Sequence, residues 1–390
     1  MAGGCEVEGL IQPLAGPVRH LYVHVPYCHK ICPYCSFYKH LPSEGSMGNY
    51  GHALLAEARL LKESRVPLAL ETVYFGGGTP TLLSLSALEE LLVPLATLLD
   101  FSKVTEWTME VNPRTITPPK AQLMRQAGVT RTSLGVQAWD KPTLHTLGRD
   151  HSPAEADEAF AILRAAGFPV VNLDLMFSVP GQSHQAWQDT LERSVGLRPD
   201  HVSAYNLTYE EDTEFFQRCQ AGQYAVEEDR DEQCFASAMQ ILGEAGLEQY
   251  EISNYGRPGM ESRHNQGYWA GDDYAGLGPG AVSTIHGQRF KNIENTTLWQ
   301  QGAMSGKLLR IEAEEITASK WLCERLALSL RTRCGLPAAW LATVPEALAR
   351  LTSEGLLQCQ DNQVFLTHRG KFVADGVAAH LWEAMDDETG

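Results

Sequence analysis

No apolar run in this chain approaches the length that spans a bilayer. The first twenty residues hold neither a basic start nor an apolar stretch, so no secretory signal is expected. Both absences point to a cytoplasmic protein with no transmembrane segment. Positive charge is also in short supply: 31 Lys and Arg against 48 Asp and Glu leave a net charge of −17 over 390 residues. Nucleic-acid binding depends on neutralising phosphates, so nucleic acid is not expected as a partner. No internal repeat or low-complexity tract is present. The nine cysteines do not form a disulfide framework: their number is odd, three crowd one loop, and Cys5, Cys219, Cys234, Cys323, Cys334 and Cys359 are scattered. The rest of the composition, 44% hydrophobic and 20% charged, is that of a globular chain long enough for two or three domains.

The crowded loop organises the chain. Cys28, Cys32 and Cys35 have C-x3-C-x2-C spacing and follow the apolar run 21–25, which reads as a strand ended by Pro26. Thiolates so spaced can converge on one soft-metal site, and this is how iron–sulfur clusters are held. A cubane cluster has four irons, so three cysteines leave one iron free for a ligand that is not protein. An open position is the mark of a working metal site. A Cys3His zinc site completed by His24, His29 or His40 is the competing reading of the loop alone.

Further along, strands are expected at 72–75, 104–111, 132–136, 170–177 and 202–207. They alternate with helices at 50–64, 84–99, 118–127, 154–166 and 185–197. Six strands alternating with helices make an α/β fold with a parallel sheet or barrel. A strong helix at 227–246 is followed by a polar, aromatic, Gly-rich stretch, 250–287, expected to be a functional loop. Helices at 315–331 and 345–354, a hairpin over 356–366 around Asp361-Asn362 and a last helix at 370–384 read as a winged-helix-like domain. Its glutamates dilute its basic residues, which argues against DNA as its ligand. The expected division is an N-terminal arm, 1–18, a barrel, 19–247, a barrel-closing loop region, 248–306, and a C-terminal domain, 307–390.

Chemistry in α/β barrels gathers at the C-terminal ends of the strands, and polar groups recur there. Gly76-Gly77-Gly78-Thr79 closes the second strand, with missing Cβ atoms that would let a ligand approach the backbone. Glu110-Val-Asn-Pro113 ends the third, Gly135-Val-Gln137 the fourth, and Asp174 lies within the fifth. Arg149 is a fixed positive charge suited to a ligand carboxylate. Tyr274-Ala-Gly-Leu-Gly-Pro-Gly280 lacks the G-x-G-x-x-G spacing and is no dinucleotide fingerprint.

Taken together, Tyr22-x-His-x-Pro-Tyr-Cys, Gly-Gly-Gly-Thr-Pro, Glu110-Val-Asn-Pro, Leu134-Gly-Val-Gln137, Asp174 with Pro180-Gly181, Ser203-Ala-Tyr and His264-Asn-x-x-Tyr-Trp269 span nearly the whole chain. On these motifs the sequence resembles the radical S-adenosylmethionine (SAM) proteins of the oxygen-independent coproporphyrinogen oxidase group, and within it the HemW-type heme chaperones. The resemblance implies a partial (β/α)6 radical SAM barrel followed by a C-terminal helical, winged-helix-like domain. It implies a 4Fe–4S cluster on Cys28, Cys32 and Cys35, whose free iron chelates the amino and carboxylate groups of SAM. Tyr22, Tyr34, Gly77, Gly78, Thr79, Glu110, Gln137, Arg149 and Asp174 match the cofactor-contacting positions, and Thr208 and Val282 match more weakly. The implied chemistry is one-electron reduction of the sulfonium to a 5′-deoxyadenosyl radical, with an electron donor as a further partner.

Within that group, the decarboxylating oxidases carry a further cysteine two residues after the third, where this chain has Phe37. They also have a longer N-terminal region. Both departures favour a heme chaperone over a coproporphyrinogen dehydrogenase, the alternative being an oxygen-independent coproporphyrinogen III oxidase of porphyrin biosynthesis. Against them, Ser36 stands where chaperone-type sequences usually have an acidic residue, and Cys28-His-Lys-Ile-Cys32 has oxidase-like wording. A chaperone implies heme as cofactor or cargo and hemoproteins as acceptors, and leaves room for peripheral membrane contact on delivery. The sequence candidate for a heme ligand is His264, expected to be exposed on a loop beside Tyr268 and Trp269.

Overall fold

The computed structural model describes residues 16–43 and 47–387; Cys5 and most of the expected N-terminal arm lie outside the described residues. The six expected strands are β1 (Val18–Val25), β2 (Leu68–Gly77), β3 (Glu106–Val111), β4 (Arg131–Gln137), β5 (Val170–Phe177) and β6 (His201–Asn206). They pair in parallel and in chain order, the arrangement of an α/β barrel sector.

Alternation along each strand sorts two faces. On β4, Leu134 and Val136 join the apolar core, while Ser133, Gly135 and Gln137 face a cavity. On β5, Val171, Leu173 and Leu175 join the core, and Asp174 and Met176 face the cavity. The apolar face is covered by the crossover helices, which contribute Leu88, Leu92, Ala159, Leu163, Trp187 and Leu191 to the same core. Trp187 sits 5.2 Å from Phe177 ring to ring. The helix Pro153–Ala165 starts where it does because Ser152 caps it, Glu155 completes a capping box and Pro153 pre-sets the first turn. The lumen is therefore left polar, with its chemistry at the strand ends.

The sheet runs on past both ends of the barrel. Beyond β6 it adds, antiparallel, β7 (Glu248–Glu251) and β8 (Asn254–Gly256), with β8 next to β6. Beyond β1 it adds β9 (Tyr274–Leu277), parallel to β1, then antiparallel β10 (Val282–Ile285), β11 (Gln288–Asn292) and β12 (Arg310–Glu315), making twelve strands. The expected loop over 250–287 is thus interrupted by four short strands, with a helix, Arg263–Trp269, in its middle. Strands of three to five residues show no alternation worth reading, and β9 pairs with a strand some 250 positions earlier. Glu315, expected in a helix, ends β12; the helix begins at Ala318 behind a Thr317 cap.

The C-terminal part comprises helices Ala318–Leu330 and Pro345–Ser353, strands β13 (Leu336–Pro337), β14 (Leu357–Gln360) and β15 (Gln363–Leu366), and helices His368–Phe372 and Ala374–Asp387. Its strands form a separate sheet in the order β13-β15-β14 over a core that includes Leu326, Leu336, Val364 and Leu381. Asp361 and Asn362 turn the hairpin with φ of 50° and 62°, the left-handed pair that a two-residue type I′ turn requires. The Ile252 N–H donates to the Arg331 carbonyl (3.2 Å), the Arg333 N–H to the Tyr250 carbonyl (3.0 Å), and Arg331 Nε to buried Glu251 (3.1 Å), tying this part to the barrel. Among the described residues no helix is long and apolar enough to cross a membrane.

Candidate functional site

The cysteine loop is pinned at both ends before any ligand is considered. The Cys28 N–H donates to the His40 carbonyl (3.1 Å), the His40 N–H to the Pro26 carbonyl (2.9 Å) and the Cys35 N–H to the Cys32 carbonyl (3.2 Å). The glycines after β2 dock against it: the Gly78 and Thr79 N–H groups donate to the Val25 and Tyr27 carbonyls, both at 2.8 Å. A Cβ on Gly78 would stand 2.7 Å from the Tyr27 carbonyl oxygen, and Gly77 has φ +103°. These glycines are needed first for the approach of one backbone to another. Gly77, Gly78 and Thr79 nevertheless line the cavity as well.

That cavity, ≈ 500 Å³, lies at the strand ends and collects most of the predicted residues: Cys28, Cys32, Cys35 and Tyr34 from the loop, then Glu110, Gln137, Arg149 and Asp174. Thr208 also lines it. Thr79 Oγ1 lies 3.8 Å from Cys28 Sγ, and Arg149 Nη1 lies 3.6 Å from Cys32 Sγ. Arg149 Nη2 donates to the Gly135 carbonyl (2.9 Å), and its buried Nε has no partner among the described residues. Glu110 accepts from Tyr74 (2.9 Å) and from the Gly77 N–H (3.1 Å); burial outweighs these bonds and pushes its carboxyl up to about 7. Asp174 accepts from Ser133 Oγ and Asn172 Nδ2, both at 2.8 Å, and burial raises its carboxyl too. Burial pushes the Cys28 thiol up to about 11, so loading a metal there must displace a proton.

No three metal-capable side chains are gathered around a single ion position among the described residues. Each zinc-completing histidine is engaged elsewhere: His24 with Tyr22 and the Tyr38 carbonyl, His29 with Asp150, and His40 with the Leu41 carbonyl and Thr296. Thiols that line one cavity without closing on one ion suit a cluster, whose cysteines hold different irons, better than a mononuclear site.

Three predicted residues fall elsewhere. Tyr22 does not line this cavity; its hydroxyl is 3.0 Å from His24 Nδ1, and it lines a second cavity of ≈ 620 Å³, as Val282 does. His264 corrects the expectation of an exposed loop ligand: it lies on a helix with 0% exposure and lines neither cavity. Its Nδ1 is hydrogen-bonded to Thr72 Oγ1 (2.7 Å), its ring stacks on Tyr74 (5.2 Å), and burial with His20 nearby lowers its pKa to about 3. A neutral imidazole is thus buried beside β2, its Nε2 without a partner among the described residues. Ser133 and Met176 were missed by the motif reading although they line the first cavity, and Tyr205, of the Ser203-Ala-Tyr motif, lines it without having been read as a site residue. Ser133 and Met176 stand two residues from Gly135 and Asp174, on the same face of their strands, so strand periodicity would have found them.

A fold of six parallel strands whose C-terminal rim holds three thiols beside half-buried acids and an arginine defines the radical SAM class of protein. Residues 22–193 match the Radical SAM superfamily model. The chain is 31% identical over 359 residues to the heme chaperone HemW of Lactococcus lactis, covering 90% of this chain and 93% of that one. It is 35% identical over 385 residues to the HemW of Mycobacterium tuberculosis (96% and 97%). Its fold is similar to that of the coproporphyrinogen III oxidase HemN of Escherichia coli, with a TM-score of 0.79 at 22% identity over 95% of this chain and 91% of that one. The chain belongs to the HemW family of radical SAM proteins.

Proposed function

We propose that this protein is a heme chaperone that holds a 4Fe–4S cluster on Cys28, Cys32 and Cys35 and SAM in the adjoining cavity, and passes heme to acceptor hemoproteins in the cytoplasm. The observation that carries the reading is near full-length similarity to proteins named heme chaperones. The donor set suits both cofactors: three thiols on one cavity wall, two half-buried carboxylates that can accept from an ammonium, and a half-buried arginine with an unused N–H. When bound, the cluster supplies single electrons and SAM a reducible sulfonium. Arg149 would orient a carboxylate and also bears on Cys32, Glu110 and Asp174 would hold the amino end and the sugar, and Tyr34 would shield the loop from solvent. Residues 19–247 form the cofactor-binding unit in this reading, 248–306 close it, and 307–390 are appended to it.

Arg149→Ala should weaken SAM binding about 10- to 100-fold, the loss of one charge-assisted contact, with the cluster absorbance retained. Anaerobic equilibrium dialysis measures it; undiminished affinity would remove Arg149 from the site.

Function is tested on one anaerobically reconstituted sample, divided for hemin titration, transfer to an apo-hemoprotein and incubation with coproporphyrinogen III. A shifted Soret band, heme transfer and an unchanged tetrapyrrole are expected. Conversion of coproporphyrinogen III with consumption of SAM would make the protein an oxidase, and the chaperone reading would fall.

A further inference from the structure

The second cavity differs in chemistry from the first and abuts it, since Ser36, Phe37, Gly77 and Glu110 line both. Four separate parts of the chain build it: β1 gives Tyr22, the cysteine loop Phe37 and Tyr38, the β9–β11 wing Tyr274, Arg289 and Lys291, and the helix Ala318–Leu330 Trp321 and Arg325. Trp269, at the end of its helix, adds a further ring. Aromatic rings recur around its walls, between cations and the carboxylates Glu110, Asp272, Glu294 and Glu324, and its ≈ 620 Å³ falls within the roughly 300–1,000 Å³ that hold small-molecule ligands. Phe37, 66% exposed among the described residues, stands at the border of the two cavities as an apolar surface.

The cations around this space are not equivalent. Arg289 is held by Glu324 through two bonds of 2.6 and 2.7 Å, and Lys291 by Glu294 (2.8 Å). Arg325 makes no ion pair among the described residues; the nearby cavity carboxylate, Asp272, is held by Arg19 (2.7 Å) and His20 (3.1 Å). Arg325 Nη1 donates to the Trp269 carbonyl, and its guanidinium lies 5.8 and 5.9 Å from the Trp321 and Trp340 ring centres. A part-buried guanidinium fixed by a carbonyl and two indoles, with donors to spare, is a prepared anion contact.

We propose that the second cavity binds a planar macrocyclic carboxylate, the porphyrin of the heme cargo, between its aromatic walls, with Arg325 anchoring a propionate. This rests on the heme-chaperone reading and adds to it a location, a recognition residue and a task for the C-terminal helix. Affinity comes from the rings and the carboxylates, so the iron contributes little and His264 nothing.

The test uses the cluster-loaded, SAM-bound protein, titrated with hemin, iron-free protoporphyrin and protoporphyrin dimethyl ester. Hemin and protoporphyrin should bind wild type within a few-fold of each other and quench tryptophan emission, the quench being smaller in Trp321→Phe. Arg325→Gln should weaken both diacids about 10- to 100-fold while cluster absorbance and far-UV dichroism stay as in wild type. The diester should bind wild type as weakly as the diacid binds Arg325→Gln, and the substitution should not weaken it further. The comparison of diacid with diester on wild type alone, about 10- to 100-fold apart, needs no variant and stands even if Arg325→Gln folds poorly. Equal affinity of wild type for diester and diacid, or hemin binding untouched by Arg325→Gln, would place the heme elsewhere and leave the chaperone reading standing. If wild type bound no hemin, both would fall together.

Discussion

Replacing Cys32 by alanine is expected to leave a protein that folds but holds less than about a tenth of the wild-type iron after anaerobic reconstitution, with the broad visible absorbance gone. Cys28→Ala and Cys35→Ala should do the same. The loss should be near complete because among the described residues the cavity has no substitute thiol: Cys219, Cys234, Cys323, Cys334 and Cys359 line neither cavity, and the loop histidines are bonded elsewhere. Folding should survive because the loop is pinned by backbone bonds at Cys28, Cys35, His40, Gly78 and Thr79, not by its thiols. Cys334→Ala and Cys359→Ala, both at exposed positions, are the controls and should keep full iron. Iron analysis with the visible spectrum decides it: a Cys32→Ala protein that stayed brown would mean the cluster is not held by this loop.

The barrel and the cysteine loop were legible because their signals are local. Strands such as Val170–Phe177 alternate apolar and polar residues along one face and the other, and C-x3-C-x2-C brings its thiols together within one turn of chain. Polar residues on the strands, Glu110, Gln137 and Asp174, do meet Arg149 in one cavity. What could not be read was assembly at long range. The second cavity needs Tyr22, Trp269, Arg289 and Arg325 together, and nothing in the spacing of those residues announces that β9 pairs with β1 or that a C-terminal helix reaches the same place. His264 shows the opposite error. Its motif, with aromatic neighbours in a polar stretch, suggested an exposed ligand, but the same aromatic company closed around it, with Tyr74 stacked on its ring and Tyr268 edge-on at 4.7 Å. An aromatic cluster is as able to bury a histidine as to present one.

Besides the pairing of β9 with β1, one buried carboxylate ties the wing that completes the second cavity to the barrel. Glu57, 2% exposed on the helix Tyr50–Glu63, accepts from the Gly278 N–H (2.7 Å), Trp299 Nε1 (2.9 Å) and Asn292 Nδ2 (2.6 Å). It thereby joins the barrel's first helix to the end of β9, the end of β11 and the helix Thr296–Ser305. Glu57→Ala would leave three buried donors without an acceptor and should cost roughly 3–5 kcal/mol. Glu57→Gln keeps the shape but turns an amide N–H₂ toward a donor and should cost roughly 1–3 kcal/mol near pH 5. Burial, acting against those three donors, pushes the Glu57 carboxyl up to about 7. Its folded pKa lies above its unfolded one, so the folded state holds the extra proton between about 4.5 and 7. Its contribution to stability is full below that window and is lost as pH rises through 7, by roughly 3 kcal/mol in all. Glutamine does not titrate, so the advantage of wild type over Glu57→Gln in urea unfolding should shrink or reverse between pH 5 and 8. A pH-independent difference would mean that the three N–H groups keep Glu57 charged throughout, and that burial is the weaker of the two influences on it.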